Sequence, residues 1–428
     1  QSGRCAPRRT ALLLAQTCGP CRATNYPALL RKALCEAGFG DVPVLTLSGG
    51  SLNNQPGFAI SARLLHRLIL GCLYGDMLQR VSLSTRAHER NAGDTDDRLA
   101  HWMNRVKFSA ARGDSSLFKS HMRSIVRDFS AIRQAHAPLP RVGIVGEILL
   151  KYHPDANNQV IRHIMEEGGE PVLTDLMDFF LYCLLDPVYL WRHMGGKAFP
   201  AFSNWLLIKR IESLRDAMRR ALEGSRFLPV SRIADLARSV RGIVSTGNQA
   251  GEGWLLTAEM LELIDHGVGN VLCLQPFGCL PNHITGKGVL KELKRIRPHA
   301  NLMAVDYDPG SSEANQLNRI KLFMTVAHSR IPQEAQGDHA PASQRIRRPA
   351  RRASPRQPQG QARKHHRWKW QQRRRSDEPG VSGNEGSIKV LRSTMLPPMP
   401  CSPKTALQRD TSGCGSTMPQ PDVSLLLS

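Results

Sequence analysis

Two groups of cysteines carry the sharpest chemical signal in this sequence. Cys18-Gly-Pro-Cys21 stands between a short apolar run and a helical pattern. Two intervening residues let both sulfurs face one point, where they can hold a metal ion or a cluster, or close a disulfide. A helix N-terminus that follows favours thiolate over thiol. The second group, Cys273-Leu-Gln-Pro-Phe-Gly-Cys279, follows an apolar strand pattern and opens into Leu280-Pro-Asn-His-Ile-Thr-Gly-Lys-Gly288. Open α/β sheets place their sites at such strand ends. Thiolates from two loops of this kind complete a Cys-ligated iron–sulfur site. Zinc uses the same ligand set. Cys273 falls inside the strand pattern, so it also reads as a small buried hydrophobe.

A CxxC between strand and helix matches the thioredoxin dithiol as well. The residues that follow are long helical patterns up to Pro138, which a thioredoxin domain would not supply. No other motif stands as catalytic. There is no HExxH, and Pro281 occupies the position where a phosphate loop ending in Gly286-Lys287 needs glycine. Gly247-Asn-Gln-Ala-Gly-Glu-Gly253 lacks dinucleotide spacing and reads as a loop, with an anion contact through its backbone N–H groups as the alternative. Cys35 fits an apolar helix face, Cys72 and Cys183 are weaker ligand candidates in helical patterns, and Cys401 and Cys414 fall in the tail as free thiols.

The elements that must position these cysteines form two alternating units. Ala11–Ala15 reads as a strand, Tyr26–Ala37 as a helix stopped by Gly38, and Val42–Ser48 as a second strand. Phe58–Arg80 and Leu99–His136 are helical patterns around a polar loop at His88–Asp97. A second unit begins at Arg141, with a buried-strand pattern over Val142–Ile148 and a polar loop over Lys151–Asn158. A helix over Val160–Glu167 and a strand over Pro171–Thr174 complete a βαβ unit. Further helices fall at Ala201–Gly224, Trp254–His266, Val289–Ile296 and Glu313–Met324, with strands at Val268–Leu274 and Leu302–Asp306. These patterns predict an α/β protein divided at 1–137, 138–328 and 329–428.

The last of these segments is unlike the rest. The 428 residues carry a formal net charge of +22, and half of it falls in the final hundred, where 18 Lys+Arg face 7 Asp+Glu. Rich in Arg, Pro, Gln and Ser and poor in periodic apolar residues, that segment is expected to be disordered and non-native. Within it, Arg363–Arg375 interleaves cations with Trp368 and Trp370, so any nucleic-acid binding would be nonspecific and confined to the tail. Hydrophobic residues make up 41% of the chain, which excludes a wholly disordered protein. No apolar run approaches the roughly 20 residues of a membrane helix, and no secretory signal is evident. Ten cysteines without such a signal read as thiols or metal ligands in a cytoplasmic protein. The chain begins on Gln and is expected to be a fragment or a processed product.

Longer stretches carry a family resemblance. TCGPCR at 17–22, GDVPVLTLS at 40–48, RVGIVGEILLKYHPDANN at 141–158 and DLMDFFLYC at 175–183 are followed by GEGWLLTAEM at 251–260, QPFGCLPNHITGKG at 275–288 and DYDPGSSEANQLNRIKL at 306–322. In this order they resemble the 2-hydroxyacyl-CoA dehydratase superfamily, and more closely the C-terminal part of the long CoA-substrate-specific enzyme activases. The resemblance implies two flavodoxin-like (Rossmann-like) parallel-sheet halves with helical additions and a [4Fe-4S] cluster on cysteines. It makes Cys18, Cys21 and Cys279 the best ligands and Cys273 the next candidate. It also implies an ATP-dependent activase domain or subunit as partner. That partner delivers a low-potential electron for reductive chemistry on an acyl-CoA substrate under anaerobic conditions. The activase domains that bind ATP are not in this chain, which shows no nucleotide motif, and Ala87-His-Glu89 departs from the family pattern. Against this iron–sulfur expectation stand a zinc-binding or metal-free scaffold with an anion-binding tail, and a thioredoxin-like dithiol oxidoreductase.

Overall fold

The structure, a computed structural model, describes residues 7, 10–15, 21–47, 61–135, 138–308 and 310–330. The chain divides at 348/349, and every described residue lies in the first unit. Cys18, Phe58, Ala137, Arg363–Arg375, Cys401, Cys414 and residues 331–428 of the expected disordered tail fall outside the described residues.

The fold is mixed α/β. β1 (Leu12–Ala15) and β2 (Val44–Leu47) pair in parallel across the helix α1 (Tyr26–Glu36). Three helices follow: α2 (Ala62–His88), α3 (Asp94–Arg112) and α4 (Phe118–Ser130). A four-stranded parallel sheet is then built from β3 (Arg141–Gly146), β4 (Glu170–Leu173), β5 (Asn270–Pro276) and β6 (Asn301–Tyr307), in the order β4-β3-β5-β6. Short helices α5 (Ile148–Tyr152) and α6 (Val160–Glu166) connect β3 to β4, and α7 (Leu176–Met194), α8 (Ala198–Leu222), α9 (Ile233–Ser239) and α10 (Gly253–Asp265) connect β4 to β5. The helix α11 (Leu290–Ile296) precedes β6, and α12 (Glu313–Ser329) follows it. Among the described residues no helix is long and apolar enough to cross a membrane.

Periodicity located the sheet because its central strands are apolar on both faces. All seven residues of β5 are buried, as are five of the six in β3. One core runs from α2 and α4 through α7, α8 and α10 to β5 and β6, so the packing continues across position 137/138. A second cluster on β3, β5 and β6 takes in α6 and α12.

Three local expectations require correction. The polar stretch His88–Asp97 is not a loop throughout: α2 runs to His88 and α3 starts at Asp94. Asp94, Asp96 and Asp97 suit the positive N-terminus of α3, whose Gly93 and Thr95 N–H groups donate to Glu89 at 3.1 and 2.8 Å. Leu99–His136 is two helices, because Gly113 takes a left-handed φ of 71° and ends α3. Lys151 and Tyr152 belong to α5, and Lys151 is buried rather than part of a polar loop. Its Nζ donates to Glu259 Oε1 and Thr174 Oγ1, both at 2.8 Å, which joins α5, α10 and the end of β4.

A second buried charge centre holds the helical layer. Arg215 of α8 contacts Asp178 at 2.7 Å and Asp175 at 3.2 Å, and Arg80 of α2 also reaches Asp175 at 2.5 Å. Asp76 of α2 accepts the Leu176 and Met177 N–H groups at 2.9 and 3.0 Å and so caps α7. Burial and the Asp175 charge push the Asp76 carboxyl up to about 7. Burial also raises Asp175, but Arg80 and Arg215 outweigh it and hold that carboxyl below its ordinary value. Removing one partner of such a centre leaves the others uncompensated, at a cost of about 3–5 kcal/mol. Arg215→Met is therefore expected to lower unfolding stability by that order, read as a shift of the urea midpoint. An unchanged midpoint would show that the centre adds nothing to stability.

Candidate functional site

At the end of β3 the backbone takes a conformation that faces the missing side chain of Gly146 toward β5. A Cβ on Gly146 would lie 2.0 Å from the Leu274 carbonyl oxygen, and Gly146 adopts φ 147°. Only glycine fits this conformation. The chain then turns so that the Glu147 N–H donates to Leu274 O at 3.0 Å and the Glu147 side chain caps α5 through Leu150 N at 2.9 Å. After β5 the chain turns at Gly278, in the left-handed region at φ 72°, and delivers Cys279 to the same edge. A π-helical turn at Asn282–Gly286 follows, a form that often marks functional sites.

The loop after β1 arrives opposite this edge. Cys21 precedes a single helical turn, Arg22–Asn25, that leads into α1. Its Sγ lies 4.0 Å from Cys279 Sγ, across 258 positions of sequence. Both cysteines are buried and cluster with Ala23, with Tyr26 packed against them. The Arg22 guanidinium donates to Phe277 O and ties the two loops together. Gly251, at φ 59°, forms the wall: a Cβ there would sit 3.2 Å from Cys21 Sγ and 3.3 Å from Pro281.

Electrostatics favour a thiolate at Cys279. The hydrogen bond with Cys21, helped by the backbone N–H groups of Arg22 and Asn282, brings it down to about 7 against the opposing effect of burial. Two carboxyls flank the pair. Burial and the neighbouring Glu252 charge push Glu147 up to about 8, and burial raises Glu252 as well. Glu252 accepts from Ile148 N at 3.3 Å and from Asn282 Nδ2 at 3.0 Å, which leaves Asn282 Oδ1 buried without a hydrogen-bond partner. Tyr26 is held as the neutral phenol by burial and by the charges of Glu147, Cys279, Cys21 and Glu252. At the outer rim Asp306 gathers Gln275 at 2.5 Å, Lys287 at 3.0 Å and His283 at 3.6 Å.

The structure brings together Cys21 and Cys279 of the expected ligands. Cys18 lies outside the described residues. Cys273 is placed elsewhere, in the main core, where a Cβ on Gly286 would lie 3.0 Å from its Sγ and 2.9 Å from Leu256. Burial and the Glu259 charge push its thiol up to about 12. Cys35 is half-buried on α1, Cys183 is exposed on α7, and Cys72 is half-buried on α2 beside Asp76 at 3.9 Å. The glycine-rich stretch 247–253 is the wall of the thiol pair and the start of α10. Sequence reasoning passed over Glu147, Glu252, Tyr26 and Asn282 as site residues. The signal for Glu147 was a carboxylate directly after a buried strand; nothing in the sequence links it to Glu252.

Among the described residues no group of three or more His, Cys, Asp or Glu side chains is arranged to hold a metal ion. The donors present are two buried sulfurs, one favoured as thiolate, and this chemistry fits a thiolate-bound metal centre completed by a further ligand. Two thiolates on one tetrahedral ion with a 2.3 Å bond stand about 3.8 Å apart, close to the 4.0 Å observed. A cubane spreads its cysteines over different irons and sets them wider apart. Comparison with known protein families, with curated proteins and with solved structures finds no match to this chain.

The two carboxyls generate a pH signature. A carboxyl whose folded pKa lies above its unfolded value stabilises the fold at low pH, and that contribution is lost as pH rises through the folded value. For Glu147 the window runs from 4.5 to about 8. Glu147→Gln keeps an acceptor for Leu150 N without the charge. Its stability relative to wild type is expected to grow across this window, by on the order of 1.4 kcal/mol per pH unit at most. Denaturant midpoints at both ends of the window check this; parallel curves would refute it.

Proposed function

We propose that this chain is an iron–sulfur protein of the 2-hydroxyacyl-CoA dehydratase and activase type, which takes part in low-potential electron transfer to an acyl-CoA-type substrate or partner. The observation that supports it most is the meeting of Cys21 and Cys279 from two separate strand-end loops, with Cys279 favoured as thiolate. The strand order β4-β3-β5-β6 is that of the first four strands of a flavodoxin-like sheet, and the pair lies at the β3/β5 switch point where such sheets bind ligands. In this reading the two-stranded parallel β1–β2 sheet would belong to a second half.

In this reading Cys18, Cys21 and Cys279 hold the cluster, which supplies one-electron redox chemistry. Cys273, buried in the main core, remains a candidate only if the strand end rearranges. The N–H groups of Arg22 and Asn282 stabilise sulfur charge at Cys279. Glu147, pushed up to about 8 by burial and the Glu252 charge, keeps further negative charge away from the thiolates. Gly251 and Pro281 close the space beside Cys21 against water. The ATP that drives such a system enters through an activase domain or subunit. Any acyl-CoA would approach past the rim of Lys287, His283 and Asp306.

The 4.0 Å sulfur separation favours a second reading, a single tetrahedral ion such as zinc on the same cysteines. Anaerobic iron, zinc and sulfide analysis with an electronic spectrum separates the two. The iron–sulfur reading expects iron with acid-labile sulfide and a broad visible charge-transfer band, all lost in Cys18→Ala/Cys279→Ala. Zinc without sulfide would establish the single-ion site in its place. A protein without metal that keeps dithiol reductase activity in Cys279→Ala and loses it in Cys18→Ala would return the thioredoxin-like reading.

A further inference from the structure

The α7–α8 hairpin leaves a large apolar surface bare. From Leu190 to Phe199 every residue but Gly196 is exposed, so the distal end of the hairpin stands clear of the core. On α7, Trp191 and Met194 are exposed, Met194 by 71%. On α8, Phe199, Phe202 and Leu206 recur at helical spacing on one face, with Phe199 81% and Phe202 62% exposed. Phe202 and Trp205 stack on each other at 6.0 Å. Monomeric proteins rarely expose contiguous apolar surface of this kind, and where they do it marks an interaction site.

The charges around it narrow the occupant. Arg192, Lys197, Lys209 and Arg210 are all exposed, and Lys209 Nζ lies over the Trp205 ring at 5.7 Å. From Pro187 to Arg210 the sequence has no Asp or Glu. A second copy would bring these cations against one another. The nearest acid, Asp186, is half-buried on α7, and burial raises its carboxyl. Hydrocarbon offers that carboxyl no partner, whereas a protein can. The exposed large apolar residues of α7 are Phe180 and, further along the helix, Leu190, Trp191 and Met194.

We propose that this hairpin docks an amphipathic helix of a partner protein, apolar on the contact face and edged with carboxylates. Trp191, Phe199 and Phe202 anchor it, and Arg192, Lys197, Lys209 and Arg210 select the acidic edge. The surface is separate from the cysteine pair, so the proposal stands or falls apart from the metal reading.

The test uses a labelled synthetic helix with Leu on one face and Glu along both edges, followed by anisotropy on the whole chain. Binding is expected to weaken with added salt, to fall roughly tenfold or more in Phe199→Asp/Phe202→Asp, and to be absent for the same helix with Lys in place of Glu. Both substituted positions are exposed, and an unchanged urea midpoint verifies that the variant is folded. No binding, or equal binding by variant or Lys helix, overturns the proposal. Concentration-dependent dimerisation lost in the variant assigns the face to a second copy instead. Co-sedimentation with phosphatidylserine vesicles, lost in the variant without helix binding, assigns it to lipid.

Discussion

The backbone conformation at Gly146, where β3 ends facing β5, governs what the rest of the molecule can place at its site. These are the two central strands of the parallel sheet, and both are buried on both faces. A backbone carbonyl stands where a side chain at position 146 would be, so the strand must end on glycine and the chain must turn there. That turn puts Glu147 at the N-terminus of α5 rather than in the strand. It also opens the edge into which the Cys279 loop folds. The site thus follows from a steric constraint on one residue, and the polar groups around it are arranged by the turns that constraint imposes.

Burying charge beside thiols in this space is tolerable because each charge has a defined partner or is neutralised. Lys151 has Glu259 and Thr174, and Arg215 and Arg80 have Asp175. Glu147 keeps its proton because burial and the Glu252 charge push it up to about 8, and Glu252 is met by the Ile148 and Asn282 donors. The same low-dielectric environment that makes an unpaired carboxylate costly strengthens the hydrogen bonds to sulfur. A proton-bearing Glu147 next to a thiolate is therefore one arrangement: the acid gives up its charge and Cys279 keeps its own.

Much of the sheet was legible in the sequence. Continuous apolar runs located β3, β5 and β6 because a parallel sheet covered on both faces has no polar alternation to hide them. The helix boundaries were less legible. The run Asp94–Asp97 looks like a loop by polarity alone, yet its carboxylates suit a helix N-terminus that Glu89 caps. Lys151 looks like a solvated loop residue until its partner Glu259, 108 positions away, is in place. At the site, cysteine spacing singled out Cys21 and Cys279 because sulfur is rare and its chemistry narrow. Glu147 and Glu252 escaped notice because a carboxylate is ordinary in sequence and becomes unusual only when tertiary packing removes its water.

Cys273 shows why spacing alone could not rank the sulfurs. It precedes Cys279 by six positions, but the first is a strand residue and the second follows the turn at Gly278. The strand pleat sends Cys273 into the core against Leu256 and Gly286, where burial and the Glu259 charge oppose a thiolate and outweigh the Lys151 cation. Cys279 is also closed off from solvent, yet its sulfur receives two backbone N–H groups and the Cys21 thiol. Cys273 lies deeper and lacks those donors. A metal or cluster selects deprotonated sulfur, so the difference in donors separates a ligand from a small hydrophobe. Those donors come from loop backbone, which only the closure of the β1 and β5 loops on one another brings to the sulfur.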